Sequence, residues 1–550
     1  MKKIIFITIT FLSIAINTMS QSWQWSSHAG GRATDGAYKI ITDKNGNSYI
    51  SGNYTSDTCY FNSDTLYKIC STMGCDQYFL AKYNSTGSEL WVKGMDGSTQ
   101  DNLYISTNMI AYDSINNFIY LAGAFTGSGR IGGVYLSTTY NVFDMILAKF
   151  DTNGNCIWAT KAEAGNADCW AYVVAIDQNG NIVVGGQANS SPTFDTIAIP
   201  AGFFLAKFDS SGHCQWAKKK FNNNTNIYGV DALLFQLKIM NNDIFAIGNS
   251  TVASFTVDTV TVIPNFSSNQ YIIARFDSSG TAKWMKPCSG TSDLEVGDII
   301  VDTNDNSYIT GMFFHTGIFQ NDTLTNSGSK DLFLAKYNSS GNPVWVRQAN
   351  TSYIAGGHGL SFCYNGFYLI GGFIGNASFG SNTLGSSTLG DMIVARYDTS
   401  GNCIGVIQVA NSGGGSISTD PAGSFYATGS FNDTATFNAP IISRGYNNIF
   451  IAKSTAITGI EEEGRLANNQ LVIYANPTAG ICNASIPDEF KNEKNLTLQI
   501  FDNTGKLLQQ MPVQMNDEKV SLNLEEEAKG IYNVVLSNGK KSYQGKIVFE

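Results

Sequence analysis

The sequence predicts an all-β protein: a seven-bladed β-propeller closed by an N-terminal strand, followed by a small Ig-like β-sandwich. Three observations carry that prediction. Of 550 residues, 55 are Gly, only 10 are Pro and 14% are charged; many short strands joined by tight turns have this profile, since exposed helix faces carry more Glu and Lys. One apolar block recurs seven times up to residue 454. Its seventh copy lacks a last strand, and the N-terminal region holds a strand without a partner.

First in chain order is "MKKIIFITITFLSIAINTMS", with Lys2 and Lys3 ahead of an apolar run from Ile4 to Ile16 and a polar end at Ser20. A secretory signal peptide is expected over residues 1–20, with cleavage near Ser20–Gln21, and the run is too short to serve as a transmembrane anchor. No later segment is long and apolar enough to span a membrane. The expected location is extracellular or on an outer-membrane surface. In an exported protein the 10 Cys can pair; Cys59, Cys70 and Cys75 are close enough in sequence for a local bridge, with buried free thiols the alternative.

The repeat occupies residues 21–456. Its marker block reads "FLAKY" (79–83), "ILAKF" (146–150), "FLAKF" (204–208), "IIARF" (272–276), "FLAKY" (333–337), "IVARY" (394–398) and "FIAKS" (450–454). A polar turn with Gly and then a Trp follow most copies, as in "DTNGNCIW" (151–158), whereas "DTSGNCIG" (398–405) has Gly405 in place of Trp. Ahead of each block another turn leads into an apolar strand, as in "DQNGNIVVGGQA" (177–188), and a further strand precedes that turn. Each unit therefore reads as four strands, a to d, repeating every 57 to 68 residues. Such units bury their faces against neighbours and close into a ring, with strand a innermost. Gln24 and Trp25 match strand d, so the N-terminal strand is expected to complete the seventh unit. These motifs resemble the bacterial seven-bladed propeller repeat family of the SBBP type over about residues 22–456. The resemblance implies a fold and is nearly silent on activity.

A polar, acidic stretch, residues 457–470, reads as a linker. Residues 471–550 then alternate strands with Gly and Asn turns, the pattern of a small sandwich. This segment resembles the type A C-terminal sorting domain of the Bacteroidota type IX secretion system. The matching residues are Tyr474, Asn476, Pro477, Thr478 and Gly480, then Leu498, Ile500, Asp502, Gly505 and Lys506, then Gly530, Tyr532, Val534, Leu536, Lys546, Ile547 and Val548. Ala475 stands where Pro is usual, and Glu550 where a basic residue is common. The resemblance implies handling by the type IX secretion machinery, removal of the domain, and release or surface attachment.

A net charge of -10 without a basic cluster argues against nucleic acid. His28, His213, His315 and His358 fall in different units, and neither HExxH nor GxSxG occurs, so no catalytic residues, metal or cofactor are expected. "GSGRIG" (127–132) matches a dinucleotide fingerprint only formally, because no helix pattern follows it. "DTNGNC" imitates a calcium loop, but that loop needs Gly at its sixth position and Glu at its twelfth, where this chain has Cys156 and Ala162. It reads as a turn.

Three recurring positions remain as site candidates. Lys82, Lys149, Lys207, Arg275, Lys336, Arg396 and Lys453 form one ring of cations, expected to pair structurally with Asp76, Asp144, Asp331 and Asp391 just upstream; binding of an anionic glycan is the alternative. The loops between strand d and the next strand a include "TSYIAGGHG" and "NSGGGS"; four others hold Asp35, Asp101, Asp168 and Asp293, each three or four residues after a Gly, and these would line a ligand rim, with turn formation the alternative. Asp-Thr pairs at Thr65, Thr196, Thr259, Thr323 and Thr434 suit turns, and they also resemble the O-glycosylation sequon of Bacteroidota exported proteins, which implies glycans there. The functional expectation is an exported, non-catalytic binding or adhesion propeller with an extracellular glycan or protein ligand. The competing class is a propeller-type polysaccharide hydrolase or lyase, which needs two or three polar residues clustered on one rim and breaking the repeat.

Overall fold

Every named element of the computed structural model is a β-strand. It describes residues 23–68, 77–95, 104–221 except 141, 232–250, 254–263, 270–290, 294–455 and 457, and residues 471–549 apart from 472, 475–477, 479, 488–489, 491–495, 503–505, 515–518 and 539–541. The signal peptide and the linker expected from sequence lie outside these, except Ile457. Among the described residues no helix is long and apolar enough to cross a membrane. The chain divides into two compact units, one up to Ile457 and one from Thr458.

In the first unit one antiparallel four-strand set recurs. The first set runs Asp35–Thr42 (a), Ser48–Tyr54 (b), Gln77–Tyr83 (c) and Glu89–Gly94 (d). The a strands of the following sets are Tyr104–Asp113, Cys169–Ile176, Ala232–Met240, Leu294–Val301 and Ile354–Cys363. The last set, the closing set, has Ser412–Thr419, Phe425–Phe431 and Asn448–Ser454 as a, b and c. Its d strand is Trp23–Ala29, from the other end of the chain, with Trp25 opposite Lys453 and Ala29 opposite Ile449. Successive a strands pack side by side, and that of the closing set lies against that of the first. A core of Trp25, Ile449 and Ile451 with Ile50 and Ala81 joins those two sets. Strand c is buried along its length in the first set, so its block is apolar rather than alternating: it has a neighbour on both faces.

Between strands b and c most sets carry a small hairpin, such as Phe255–Val257 with Val260–Val262. Asp195–Thr196 and Asp258–Thr259 sit at its tip, Asp64–Thr65 and Asp322–Thr323 open its second strand and Asp433–Thr434 its first, and in three sets the Asp carboxylate bends back to accept from a strand d amide. Asp64 accepts from Val92 N at 3.1 Å, Asp195 from Cys214 N at 2.5 Å and Asp258 from Ala282 N at 2.7 Å.

Successive sets are latched by the Trp of strand d. Trp91 lies on Gly154 of the next set's c–d turn, where a Cβ would stand 3.1 Å from the ring and where φ is +79°; only Gly combines that conformation with such an approach. The indole N–H donates to Thr152 O at 3.2 Å. The latch repeats from Trp158 to Gly212, Trp216 to Gly280, Trp284 to Gly341 and Trp345 to Gly401, and from Trp25 of the closing set to Gly87 of the first.

The repeated cations join these latches. Lys82 donates to Thr152 O at 2.9 Å, Lys149 to Ser210 O at 3.0 Å and Arg275 to Ser339 O at 2.9 Å, in each case the carbonyl that the Trp also uses. Lys207 instead pairs with Asp177 at 2.8 Å and Lys453 with Asp420 at 3.4 Å. The expected pairing with the upstream Asp is thereby corrected; Asp76 lies outside the described residues. Asp144 and Lys149 are five strand positions apart, about 17 Å and on opposite faces, so the two cannot meet. Asp144 pairs with Lys161 at 3.6 Å.

The a–b and c–d turns use one device. Asp151 Oδ1 accepts from Asn153 N at 2.9 Å and Asn155 N at 2.8 Å, and Oδ2 from the Asn155 amide at 2.8 Å. Asp177 does the same with Asn179 and Asn181. The calcium-like carboxylate is thus spent on its own loop, as an Asx turn. "GSGRIG" is a hairpin as well, Ser128–Ile131 with Val134–Ser137.

The second unit stacks two antiparallel sheets over one core. Ile473–Tyr474, Ile481–Ser485 and Lys519–Asn523 form one, and Leu507–Val513, Leu496–Phe501, Gly530–Ser537 and Ser542–Phe549 the other, with Leu498, Ile500, Val534 and Ile547 buried between them. Its motif residues act in turns and packing. Gly480 holds φ +138°, Lys506 N donates to Asp502 at 3.0 Å, the Tyr532 hydroxyl donates to Ala528 O and Gly530 opens a strand. Asn476, Pro477 and Gly505 lie outside the described residues.

Two outcomes follow. Trp25→Ala should destabilise the first unit by about 3 kcal/mol, since it leaves a cavity on Gly87 and loosens the ring at its junction; the urea midpoint is the readout. The second concerns acid. Burial alone would raise the Asp151 and Asp177 carboxyls, but hydrogen bonds from Asn155 and Asn153 in one, and from Lys207 and Asn181 in the other, hold both below the usual carboxylate range. A depressed folded pKa adds stability that is present above the unfolded value and lost as pH falls through the folded one. Asp177→Asn should therefore flatten the fall in urea midpoint below about pH 4. Asp35 and Asp144, raised by burial, act in the opposite sense and remain in both proteins.

Candidate functional site

The a strands share a bulge at one register, seen between Ala37 and Lys39, Ala171 and Val173, Val296 and Asp298, Gly357 and Gly359, and Gly414 and Ser416. A bulge releases one residue from the ladder, and neighbouring a strands are stitched across it largely by side chains. Ile40 N donates to Ser416 Oγ at 3.2 Å, His358 Nδ1 to Gly414 O at 2.7 Å, Leu360 N to Asp298 Oδ2 at 3.0 Å and Gln236 Nε2 to Gly297 O at 3.2 Å.

At the junction of the sixth and closing sets this stitching leaves space. "AGGHG" and "SGGGS", expected in loops, lie within strands Ile354–Cys363 and Ser412–Thr419. Glycine is needed there because side chains of the adjoining b strands approach closely: a Cβ on Gly357 would meet Thr310 Oγ1 at 2.0 Å and one on Gly414 would meet the Ile370 side chain at 2.4 Å. Beside them, Gly372 and Gly413 face open space, with nothing nearer than 3.6 Å and 4.0 Å to an added Cβ. A cavity of about 370 Å³ results, with Met312, Ile354, Phe373 and Leu389 as apolar wall and His358, Asn411, Asn432 and Asn447 as polar wall. It adjoins a second, about 620 Å³, through Leu389, Asn432 and Asn447, with exposed Tyr446 at its edge.

The polar wall is poised to bind. His358 donates its Nδ1–H to a carbonyl, so Nε2 is left as an acceptor. The side-chain amides of Asn432 and Asn447 have no partner among the described residues, and each offers both donor and acceptor. Asp391, the carboxylate of this wall, is spent: it accepts from Ser387 N at 3.1 Å, Ser387 Oγ at 2.5 Å, Asn411 N at 3.2 Å and Gln408 Nε2 at 2.5 Å. Neutral hydrogen-bonding groups opposite an apolar wall suit a neutral polar ligand with one apolar face.

Two of the rim residues expected from sequence are described, and neither lines this cavity. Asp35 is fully buried and accepts from Gly31 N at 2.7 Å, Thr55 N at 3.1 Å, Ser56 N at 3.2 Å and Ser56 Oγ at 2.8 Å; it staples a loop and presents no carboxylate at the rim. Asp168 is half-buried and accepts from Phe143 N at 2.9 Å. Asp101 and Asp293 lie outside the described residues. Of the threonines, Thr196, Thr259 and Thr323 are exposed, while Thr65 and Thr434 are half-buried. Cys59 is a buried thiol, and Cys70 and Cys75 lie outside the described residues. Sequence reasoning missed His358 and the three asparagines, although the glycine runs around them marked the place.

Comparison with known proteins bears on the C-terminal unit first: residues 472–550 match the family model described as a secretion system C-terminal sorting domain. Over 372 residues, 54% of this chain, the sequence is 25% identical to an uncharacterized WD repeat-containing protein of Acanthamoeba polyphaga mimivirus; the chain spans only 26% of that relative's length. Among solved structures the chain is similar to the Dos1 propeller at a TM-score of 0.38 and 10% identity, over 80% of this chain and 98% of that one. The polysaccharide lyase Uly1 is similar at a TM-score of 0.38 and 11% identity, over 77% and 90%. The chain is an all-β repeat protein with propeller-like neighbours, and its sorting domain indicates export by type IX secretion to the cell surface or the extracellular space.

Proposed function

We propose that residues 21–456 form a seven-bladed β-propeller, exported behind a signal peptide (residues 1–20) and joined by a linker (457–470) to an Ig-like sorting domain (471–550). Outside the cell it acts as a non-catalytic binding or adhesion module for an extracellular glycan or protein. The glycine-floored cavity at the junction of the sixth and closing sets carries this reading. Its polar groups are amides, the hydroxyls of Ser412 and Ser430 and one imidazole acceptor, and its carboxylate is committed to four hydrogen bonds, which suits holding a sugar ring better than transferring a proton to one. Exposed Thr196, Thr259 and Thr323 are the acceptors proposed for O-glycans.

Gly413→Val tests the cavity. Open space and an extended backbone accept the new side chain in a strand that suits valine, so the thermal midpoint should stay close to that of the parent while affinity on a glycan array falls about tenfold or more. Unchanged binding would remove the cavity from the proposal, and release of oligosaccharides from a polysaccharide panel would replace binding by catalysis.

A further inference from the structure

The a strands enclose a central space, the channel, which residues from all of them line beyond the bulges, and its chemistry differs from that of the glycine-floored cavity. Beyond the bulges, Lys39, Ile41, Lys238, Ile239, Ile300 and Leu360 face a cavity of about 320 Å³. A second cavity, about 230 Å³, shares Lys39, Ile41, Lys238 and Ile239 with it. Both lysines, from the first and fourth sets, therefore border the same two spaces, and the wall between them is mainly aliphatic.

Neither ammonium has a hydrogen-bonded or ion-pair partner among the described residues. The carboxylate that acts on Lys238 belongs to Asp298, which is buried and already accepts from Ile299 N at 2.9 Å and Leu360 N at 3.0 Å. Burial, and then the like charge of Lys39, lower the Lys238 pKa against the pull of Asp298. Two cations facing one carboxylate leave a positive excess in a space where water screens charge poorly. Hydroxyls also reach this space: Ser361 Oγ lies 3.0 Å from Thr419 Oγ1, and Thr42 Oγ1 bonds Ser418 Oγ. Elsewhere in the ring the repeated cations are matched to carbonyls or carboxylates, so this pair stands outside the structural pattern.

We propose that this part of the channel binds an oxyanion group, a carboxylate, sulfate or phosphate, carried by a small ligand and held between Lys39 and Lys238. The anion bridges the two ammonium groups, the Ser418 hydroxyl, which accepts from Thr42 and so keeps its own proton, supplies a further donor, and the aliphatic wall covers the apolar face of the ligand. The site is separate from the glycine-floored cavity and does not depend on it.

The test is a thermal-shift titration of the full chain with D-glucuronate, inorganic sulfate and inorganic phosphate at constant ionic strength, with D-glucose as the uncharged control. A saturable rise in midpoint with at least one anion and none with glucose is expected, and the arm that responds names the oxyanion. Lys39→Gln and Lys238→Gln should each weaken the apparent affinity about tenfold, as loss of one charge-assisted bond does, and the double variant should abolish saturation. Lys39→Arg keeps the charge and should keep the response, which separates lost binding from lost folding. The proposal is overturned if no anion gives a saturable shift, or if the double variant responds as the parent does.

Discussion

The fold depends on an indole lying flat on a glycine of the following set. Trp91 on Gly154 is one instance: the ring needs a neighbour without a side chain, the turn needs a residue at positive φ, and one glycine meets both needs. The indole N–H and the preceding strand's cation then share the carbonyl two residues earlier, Thr152 O. Each turn is thus held by the set before it. Stability in such an array is a sum over nearest neighbours, so an unfilled latch would leave an end that frays. Trp25, delivered by the N-terminal strand, fills the last one at Gly87.

The exception explains itself in the same terms. Gly405 stands where other sets carry the latching Trp, and the set it would have reached is the closing one, which has no c–d turn because its d strand comes from the other end of the chain. Ile457 takes that place. It is buried, its carbonyl accepts from Arg396 at 2.7 Å and its N–H donates to the Tyr368 hydroxyl at 3.0 Å. An arginine thus reaches the departing chain where its counterparts reach a turn carbonyl. The junction freed from the Trp pattern is also the one where glycines open a cavity, and it is there that the repeat departs furthest from itself.

Much of this architecture was legible in the sequence, because strand order, turn chemistry and the missing Trp are local or periodic. The four-strand unit, the Asp-initiated turns and the partner strand of Phe450 follow from spacing alone. What was not legible lies between sets. Lys149 finds Ser210, 61 residues away, and no spacing within its own strand reveals that. Asp35 looked like a rim carboxylate because a Gly precedes it by four residues, yet that geometry folds the loop back onto its oxygens. The runs "AGGHG" and "SGGGS" looked like loops because glycine disfavours strands in general; here the close approach of the Thr310 and Ile370 side chains outweighs that preference. The candidate cavity was hidden for the same reason, since it is defined by side chains that are missing.

The charge of the molecule also bears on what can reach its interior. The chain carries a net charge of -10, so long anionic polymers are repelled at a distance, whereas within the channel the field of Lys39 and Lys238 is confined by aliphatic walls and little screened. Repulsion outside grows with the number of charges on the approaching ligand, while attraction inside acts on the group that enters. A small ligand with one or two negative charges therefore gains most from this arrangement, and an extended polyanion least. Because the a strands are stitched side to side largely by side chains and not by a backbone ladder, residues facing the channel can change without breaking the sheets that position them. The inner strands are where a ring of latched repeats has freedom to acquire binding chemistry.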